Sequence, residues 1–377
     1  MNDNRSADIA VVGAGIVGLA HAYIALKKGF RVVLFDRDQF AVSASVRNFG
    51  LIWPIGQQPG NGLELALNSR KHWLEVARQA GIWINTNGSL HLAYHEDEWK
   101  VLSEFVEMYN QEGFDMQLLD KTATLEKSPM VNPKGLIGSL SSNTECTVNP
   151  RMAIRKIPQW LVEQFGLQLR LGQQVKEINL PFIETPLEKW KVDRVFICSG
   201  TDFHSLYPES FAKHNLTKCK LQMMKAEVPE SNFILGPSLC AGLTLRHYQS
   251  FSKCPSLKQV DERYNSESME FKQHGIHVLL SQNNDGELII GDSHEYGLTP
   301  EPFDKTEIDA YVLNYLKSFV SIPKLEITER WHGVYSKLPD ANYWVADVES
   351  GVTIVNGLGG AGMTLSFGLA DQLINDK

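Results

Sequence analysis

Ile9-Ala10-Val11-Val12-Gly13-Ala14-Gly15-Ile16-Val17-Gly18 runs from an apolar strand into a glycine turn. An apolar helical stretch follows, and Arg31-Val32-Val33-Leu34-Phe35-Asp36 closes the unit as a second strand ending on a carboxylate. Gly13 permits the tight turn, Gly15 lets the backbone approach a pyrophosphate, and Gly18 lets helix and strand pack closely. The unpaired N–H groups at the helix start, at Ile16 and Val17, suit phosphate oxygens. Asp36 is spaced to accept ribose hydroxyls, and its charge repels a 2′-phosphate. Strand, triplet, helix, strand and acid in this order predict a dinucleotide cradle.

The same residues are apolar enough to mimic a signal peptide or a membrane span. Three glycines at turn spacing, His21 in the run, and no small-residue cleavage site argue against both. The sequence therefore predicts no membrane span.

Working outward, three further segments favour FAD over a nicotinamide. Ser43-Ala44-Ser45-Val46-Arg47-Asn48-Phe49-Gly50 is a small polar loop able to touch pyrophosphate and flavin, with Arg37 just before it. Arg194-Val195-Phe196-Ile197-Cys198-Ser199-Gly200 reads as a buried parallel strand ending on glycine. Gly357-Leu358-Gly359-Gly360-Ala361-Gly362 follows a strand and opens a C-terminal helix near Met363 and Thr364. A helix tip there offers N–H donors and partial positive charge to the anionic edge of a reduced flavin, worth about 0.3–2 kcal/mol.

Bulk properties narrow the partners. At 377 residues the chain can bury a large core and suits two domains. A net charge of −8 leaves no basic stripe for nucleic acid. The odd number of cysteines, five, scattered without a CxxC, indicates reduced thiols and a cytoplasmic setting rather than a disulfide frame or zinc site. His91 and His95 form an HxxxH, but the alternation around His91 reads as a strand, so no metal is expected.

Taken in order, these motifs resemble the D-amino acid oxidase, glycine oxidase and sarcosine oxidase superfamily of flavoenzymes. Thr147-Val148-Asn149-Pro150-Arg151, Leu288-Ile289-Ile290-Gly291-Asp292 and Arg330-Trp331-His332-Gly333-Val334-Tyr335 extend the likeness along nearly the whole chain. Ser45 through Gln57 and Leu243-Thr244-Leu245-Arg246-His247-Tyr248 are similar to a subgroup associated with 2-aminoethylphosphonate catabolism. The resemblance implies mixed α/β and α+β architecture, with a Rossmann-like FAD domain interleaved with a substrate domain on an antiparallel or mixed sheet. The FAD domain would take residues 1–80, 145–205 and 328–377, and the substrate domain 81–144 and 206–327. It also implies that Val175 holds adenine through its backbone, that Gly333 lies near the flavin, and that FAD is noncovalent, since the tethering cysteine has no counterpart after residue 254.

The activity implied is oxidation of the C–N bond of a small amine, whether an amino acid, an N-substituted glycine or an aminophosphonate. Hydride goes to flavin N5, and the imine hydrolyses to a carbonyl product. Oxygen or another acceptor would take the electrons; a D-amino acid dehydrogenase and a non-catalytic redox module are the alternatives. Arg246 and Tyr248, two apart on an apparent strand, are candidates for an anionic substrate end. Arg47, Trp53, His332, Tyr335 and Lys337 stand behind them. The carboxylate-binding arginine of glycine oxidase matches Tyr335 here, which points away from a plain amino-acid carboxylate. Residues 252–274, polar and charged, suit either a lid or a solvated surface helix.

Overall fold

The computed structural model describes residues 5–229, 233–322 and 324–375. Ile9–Val12 lies at the heart of a six-stranded sheet, between Val32–Asp36 and Arg194–Ile197 and parallel to both. Gln168–Leu171 adds to one side; Val352–Asn356 and an antiparallel Trp344–Glu349 add to the other. The central strands read as continuous apolar runs because helices or further strands cover both faces.

The helix Ile16–Lys27 is buried almost all round, which explains why its sequence lacks a polar face. Helices Asn61–Ala80, Pro150–Phe165 and Gly362–Asn375 pack about it, with Tyr23, Trp73, Trp160 and Phe367 in the shared core. Among the described residues, no helix is long and apolar enough to cross a membrane.

A nine-stranded mixed sheet forms the other half. Its path runs Glu295–Gly297, Thr217–Glu227, Leu288–Gly291, Leu279–Gln282, Ser238–Cys240, Ser89–Ala93, Gly138–Ser142 and Met116–Asp120. The expected hairpin turn at Asn283–Gly286 joins two of these strands. Glu326–Lys337 also pairs with Thr217–Glu227, from Lys337 opposite Thr217 to Glu326 opposite Glu227. The boundary expected at residue 328 therefore falls inside a strand of this larger sheet. The ladder continues through Tyr335, and the chain returns to the six-stranded sheet only at Trp344.

Two local expectations are corrected. Gly242–His247 is a short helix, not a strand, so Arg246 and Tyr248 do not share a strand face. Residues 252–274 contain the helices Leu257–Glu267 and Met269–Gln273, and the first is clamped to the helix Glu96–Tyr109. Arg263 bonds Asp97 at 2.8 Å and Glu98 at 2.7 Å. None of this segment borders the cavity described next, which favours the surface-helix reading over the lid.

Candidate active site

One cavity of about 390 Å³ runs between the two sheets and takes both glycine-rich helix starts into its wall. The first start is set by backbone geometry. Gly13 has φ of +107°, and a Cβ there would stand 2.3 Å from the Cys198 carbonyl oxygen. Asp36 accepts the Ala14 N–H at 2.6 Å and the Asp38 N–H at 2.9 Å, so its carboxylate holds the turn as well as facing the cavity. Ser45 Oγ accepts the Ile16 N–H at 2.9 Å, placing the 43–50 loop across the helix tip.

The second start is held from below. Thr364 Oγ1 accepts the Trp53 N–H at 2.9 Å, and the Met363 carbonyl accepts Trp73 Nε1–H at 2.7 Å. The first bond fixes the tip of the C-terminal helix against the segment that follows the polar loop, and the second fixes it against the helix Asn61–Ala80. Asn48 bonds inward, donating to the Ala44 carbonyl and accepting from Gly50 N, so its amide shapes the loop.

Lining residues anticipated from sequence are Gly13, Gly15, Ile16, Val17, Asp36, Arg37, Ser43, Ser45, Arg47, Asn48, Phe49 and Trp53. Val175, Ser199, Gly200, Tyr248, Gly333, Tyr335, Lys337 and Gly359 through Thr364 line it too. Four anticipated residues do not. Gly18 packs beneath the turn and Gly50 against the Val148 carbonyl, each where a Cβ would collide with backbone. His332 turns its ring to Asp304, 2.9 Å away, and only its carbonyl meets Arg47. Arg246 is drawn off by Asp261 at 2.5 Å and Asn265 at 3.2 Å. A helical turn aims its side chain at a neighbouring helix, so it cannot be the cavity's anion fork.

What the sequence reading missed is a group of three imidazoles. His247, His277 and His294 line the cavity with Asp292 beside them, and ring nitrogens of the three lie within 4.8 Å of one another. The hairpin turn could have revealed part of this, because His277 and Asp292 sit across its open end. Burial and the neighbouring imidazoles hold His247 well below its ordinary pKa, and burial lowers that of His294 against the opposing pull of Asp292. Burial also pushes the Tyr248 and Tyr335 phenols well above theirs. At His91, burial lowers the pKa to about 3. Its ring packs on Trp53 and Phe251, with both nitrogens buried and unpartnered.

A long cavity lined by a strand-end carboxylate, a glycine turn whose Gly13, Ala14 and Ile16 N–H groups are already held by Phe35, Asp36 and Ser45, and a second helix tip has the parts of a dinucleotide-dependent flavoprotein. The lining present fits FAD: Gly13 and Gly15 add no side chain of their own to the turn, the Ser45 hydroxyl stands at Gly15, and the two tips border one continuous space.

The chain belongs to the DAO family, described as FAD dependent oxidoreductase, whose family model matches residues 8–375. The glycine oxidase structure from Geobacillus kaustophilus is similar over 99% of this chain and 94% of that one, with TM-score 0.77 and 19% identity. L-proline dehydrogenase from P. horikoshii superposes with TM-score 0.79 and 20% identity, again over 99% and 94%. One polypeptide of the opine oxidase of Rhizobium meliloti is 27% identical over 46% of this chain and 49% of its own. One polypeptide of the anaerobic glycerol-3-phosphate dehydrogenase of Escherichia coli (strain K12) is 26% identical over 39% and 27%. The chain thus matches about a quarter to a half of these curated relatives' lengths.

Proposed function

We propose that this FAD-dependent oxidoreductase oxidises the C–N bond of a small amine, an amino acid, an N-substituted glycine or an aminophosphonate. The observation that carries this reading is the continuity of the cavity. A cradle suited to a dinucleotide opens directly onto a wall of Tyr248, Tyr335, Lys337 and the three imidazoles. When bound, the flavin supplies the acceptor for a hydride leaving the carbon beside nitrogen. Asp36, the Gly13–Val17 turn and Ser43–Ser45 would hold the adenosine diphosphate part, and Gly359–Thr364 the flavin part.

The chain's own residues must orient the amine, exclude water and manage its proton. Phe49, Leu221, Met223 and Leu279 give apolar lining, while Tyr248, Tyr335 and Lys337 face a substrate's anionic end. Lys337 forms no ion pair among the described residues, which leaves its charge for a ligand. Five buried free thiols support a reducing, cytoplasmic setting.

The test is anaerobic titration of the yellow holoenzyme with glycine, sarcosine, D-alanine, 2-aminoethylphosphonate and its N-methyl derivative. Bleaching by at least one supports the reading, and a panel that leaves the colour unchanged overturns it. Re-oxidation by air against an artificial acceptor then separates oxidase from dehydrogenase, both of which occur among the similar proteins.

A further inference from the structure

We propose that His247 accepts the proton of the substrate's ammonium group, with His277, His294 and Asp292 as positioning residues behind it. The inference rests on the amine-oxidising reading above. His247 ends the Gly242–His247 helix, and its ring lies face to face with His277, centroids 3.8 Å apart and planes 18° apart. His294 stands 4.7 Å from His247 and 5.3 Å from His277. His277 and Asp292 exchange backbone hydrogen bonds at 3.2 and 2.7 Å, so one hairpin end fixes three of the four groups.

Counting nitrogens shows a cluster short of protons. His294 Nδ1 lies 2.8 Å from the Gly275 carbonyl oxygen, which requires an N–H there and leaves Nε2 as an acceptor. His277 Nε2 lies 3.0 Å from Asp292 Oδ1, within ion-pair reach, yet neither that carboxylate oxygen nor the buried His277 Nδ1 has a hydrogen-bond partner. His247 is the most accessible of the three rings, open to the cavity. A single metal ion would use the same atoms poorly. Lone pairs of parallel rings run side by side instead of converging, and Lys337 in the same wall repels a cation.

Hydride loss from carbon needs the nitrogen lone pair, which an ammonium lacks. In the step proposed, an N–H bond of R–NH3⁺ breaks with its electron pair kept by the substrate nitrogen. A new N–H bond forms on His247, giving R–NH2 and an imidazolium with total charge unchanged. The Asp292 carboxylate favours the charged form of His294, whose ring lies 4.7 Å from that of His247, so it offsets the charge through the cluster. Tyr248 follows His247 in the chain, Tyr335 and Lys337 face the cluster from Glu326–Lys337, and Cys219 and Tyr296 lie beyond Tyr335. Cys240 and Glu145 lie behind Tyr248. Burial, both neighbouring imidazoles and Lys337 keep His247 neutral with its lone pair free before substrate arrives; the same groups lower its basicity, so it holds the proton only in passing, and burial also weakens the hold of an entering ammonium on that proton.

The experiment follows anaerobic flavin bleaching by the same five amines across a pH series, in wild type, His247→Gln and Asp292→Asn. His247→Gln is expected to bleach about 100-fold slower near neutrality. Its rate should recover roughly tenfold per pH unit toward the amine's own pKa, as solution supplies free amine. Asp292→Asn should fall between the two. A flavin-loaded His247→Gln with the wild-type rate and pH profile overturns the proposal while leaving amine oxidation intact. If His247→Gln fails to hold FAD, a wild-type profile in the isosteric Asp292→Asn overturns it instead. A panel that bleaches no enzyme overturns both readings, and a metal ion bound one per chain in the isolated holoenzyme overturns this one.

Discussion

A Cβ on Gly18 would stand 1.8 Å from the carbonyl oxygen of Gly13, with Val11 Cγ1 at 3.2 Å. The third glycine of the triplet thus acts within the protein, where helix and turn touch, and not at the ligand. Gly18→Ala should force the helix off the turn and lower stability by about 3 kcal/mol, with FAD lost as a consequence. Thermal melting of the apoprotein checks it. Gly15→Val separates the two roles: its Cβ meets the Ser45 hydroxyl at 3.0 Å at the cavity wall, so FAD binding should be lost with a smaller change in melting temperature.

Arg246→Ala should leave KM for any anionic amine unchanged, because the guanidinium is spent on Asp261 and Asn265. The pair is partly exposed, so the cost to stability is about 1 kcal/mol or less. Steady-state kinetics beside a denaturation curve checks both. A large rise in KM would return Arg246 to the substrate wall.

Arg263→Ala should be far more costly, by about 3 kcal/mol. The Glu98 side chain is 1% exposed, and besides Arg263 it is bonded by Tyr264 and by the backbone of Tyr94 and His95. Removing the guanidinium leaves that carboxylate buried without its cation. Urea denaturation measures the loss, and hydrogen exchange should show the Leu257–Glu267 helix loosening first.

Acid should weaken the fold through its buried histidines. His91 is held down to about 3 and His21 to about 4, both chiefly by burial. The unfolded chain takes up these protons at about pH 6.5, before the folded one does. Their contribution is therefore complete above that pH and is lost as pH falls toward the folded values. His91→Leu gives up no hydrogen bond and should flatten the decline by up to one proton, about 1.4 kcal/mol per pH unit. Melting temperature against pH for both proteins checks it.

Much of the cradle could be read from the chain because its information is local. Strand, glycine turn, helix and acid lie within residues 9–36, and Gly357–Gly362 announces its helix the same way. Each requirement is a backbone one: no side chain at the turn, donors at the helix start, a carboxylate at the strand end.

The far wall was not legible in this way. Arg246 and Tyr248 looked like strand neighbours because their alternation fits period two, yet a helical turn sends one to Asp261 and leaves the other at the cavity. His332 failed likewise, its ring taken by Asp304 from a distant loop.

The sequence by itself determined the nucleotide-binding strand–turn–helix unit, the second helix tip, and the family to which they belong. Tertiary structure alone decided which polar side chains face the cavity. His247, His277 and His294 come from segments up to 47 residues apart and meet only because a short helix packs on the open end of a hairpin. Backbone conformation is dictated over a few neighbouring residues, whereas convergence of side chains depends on how whole elements pack.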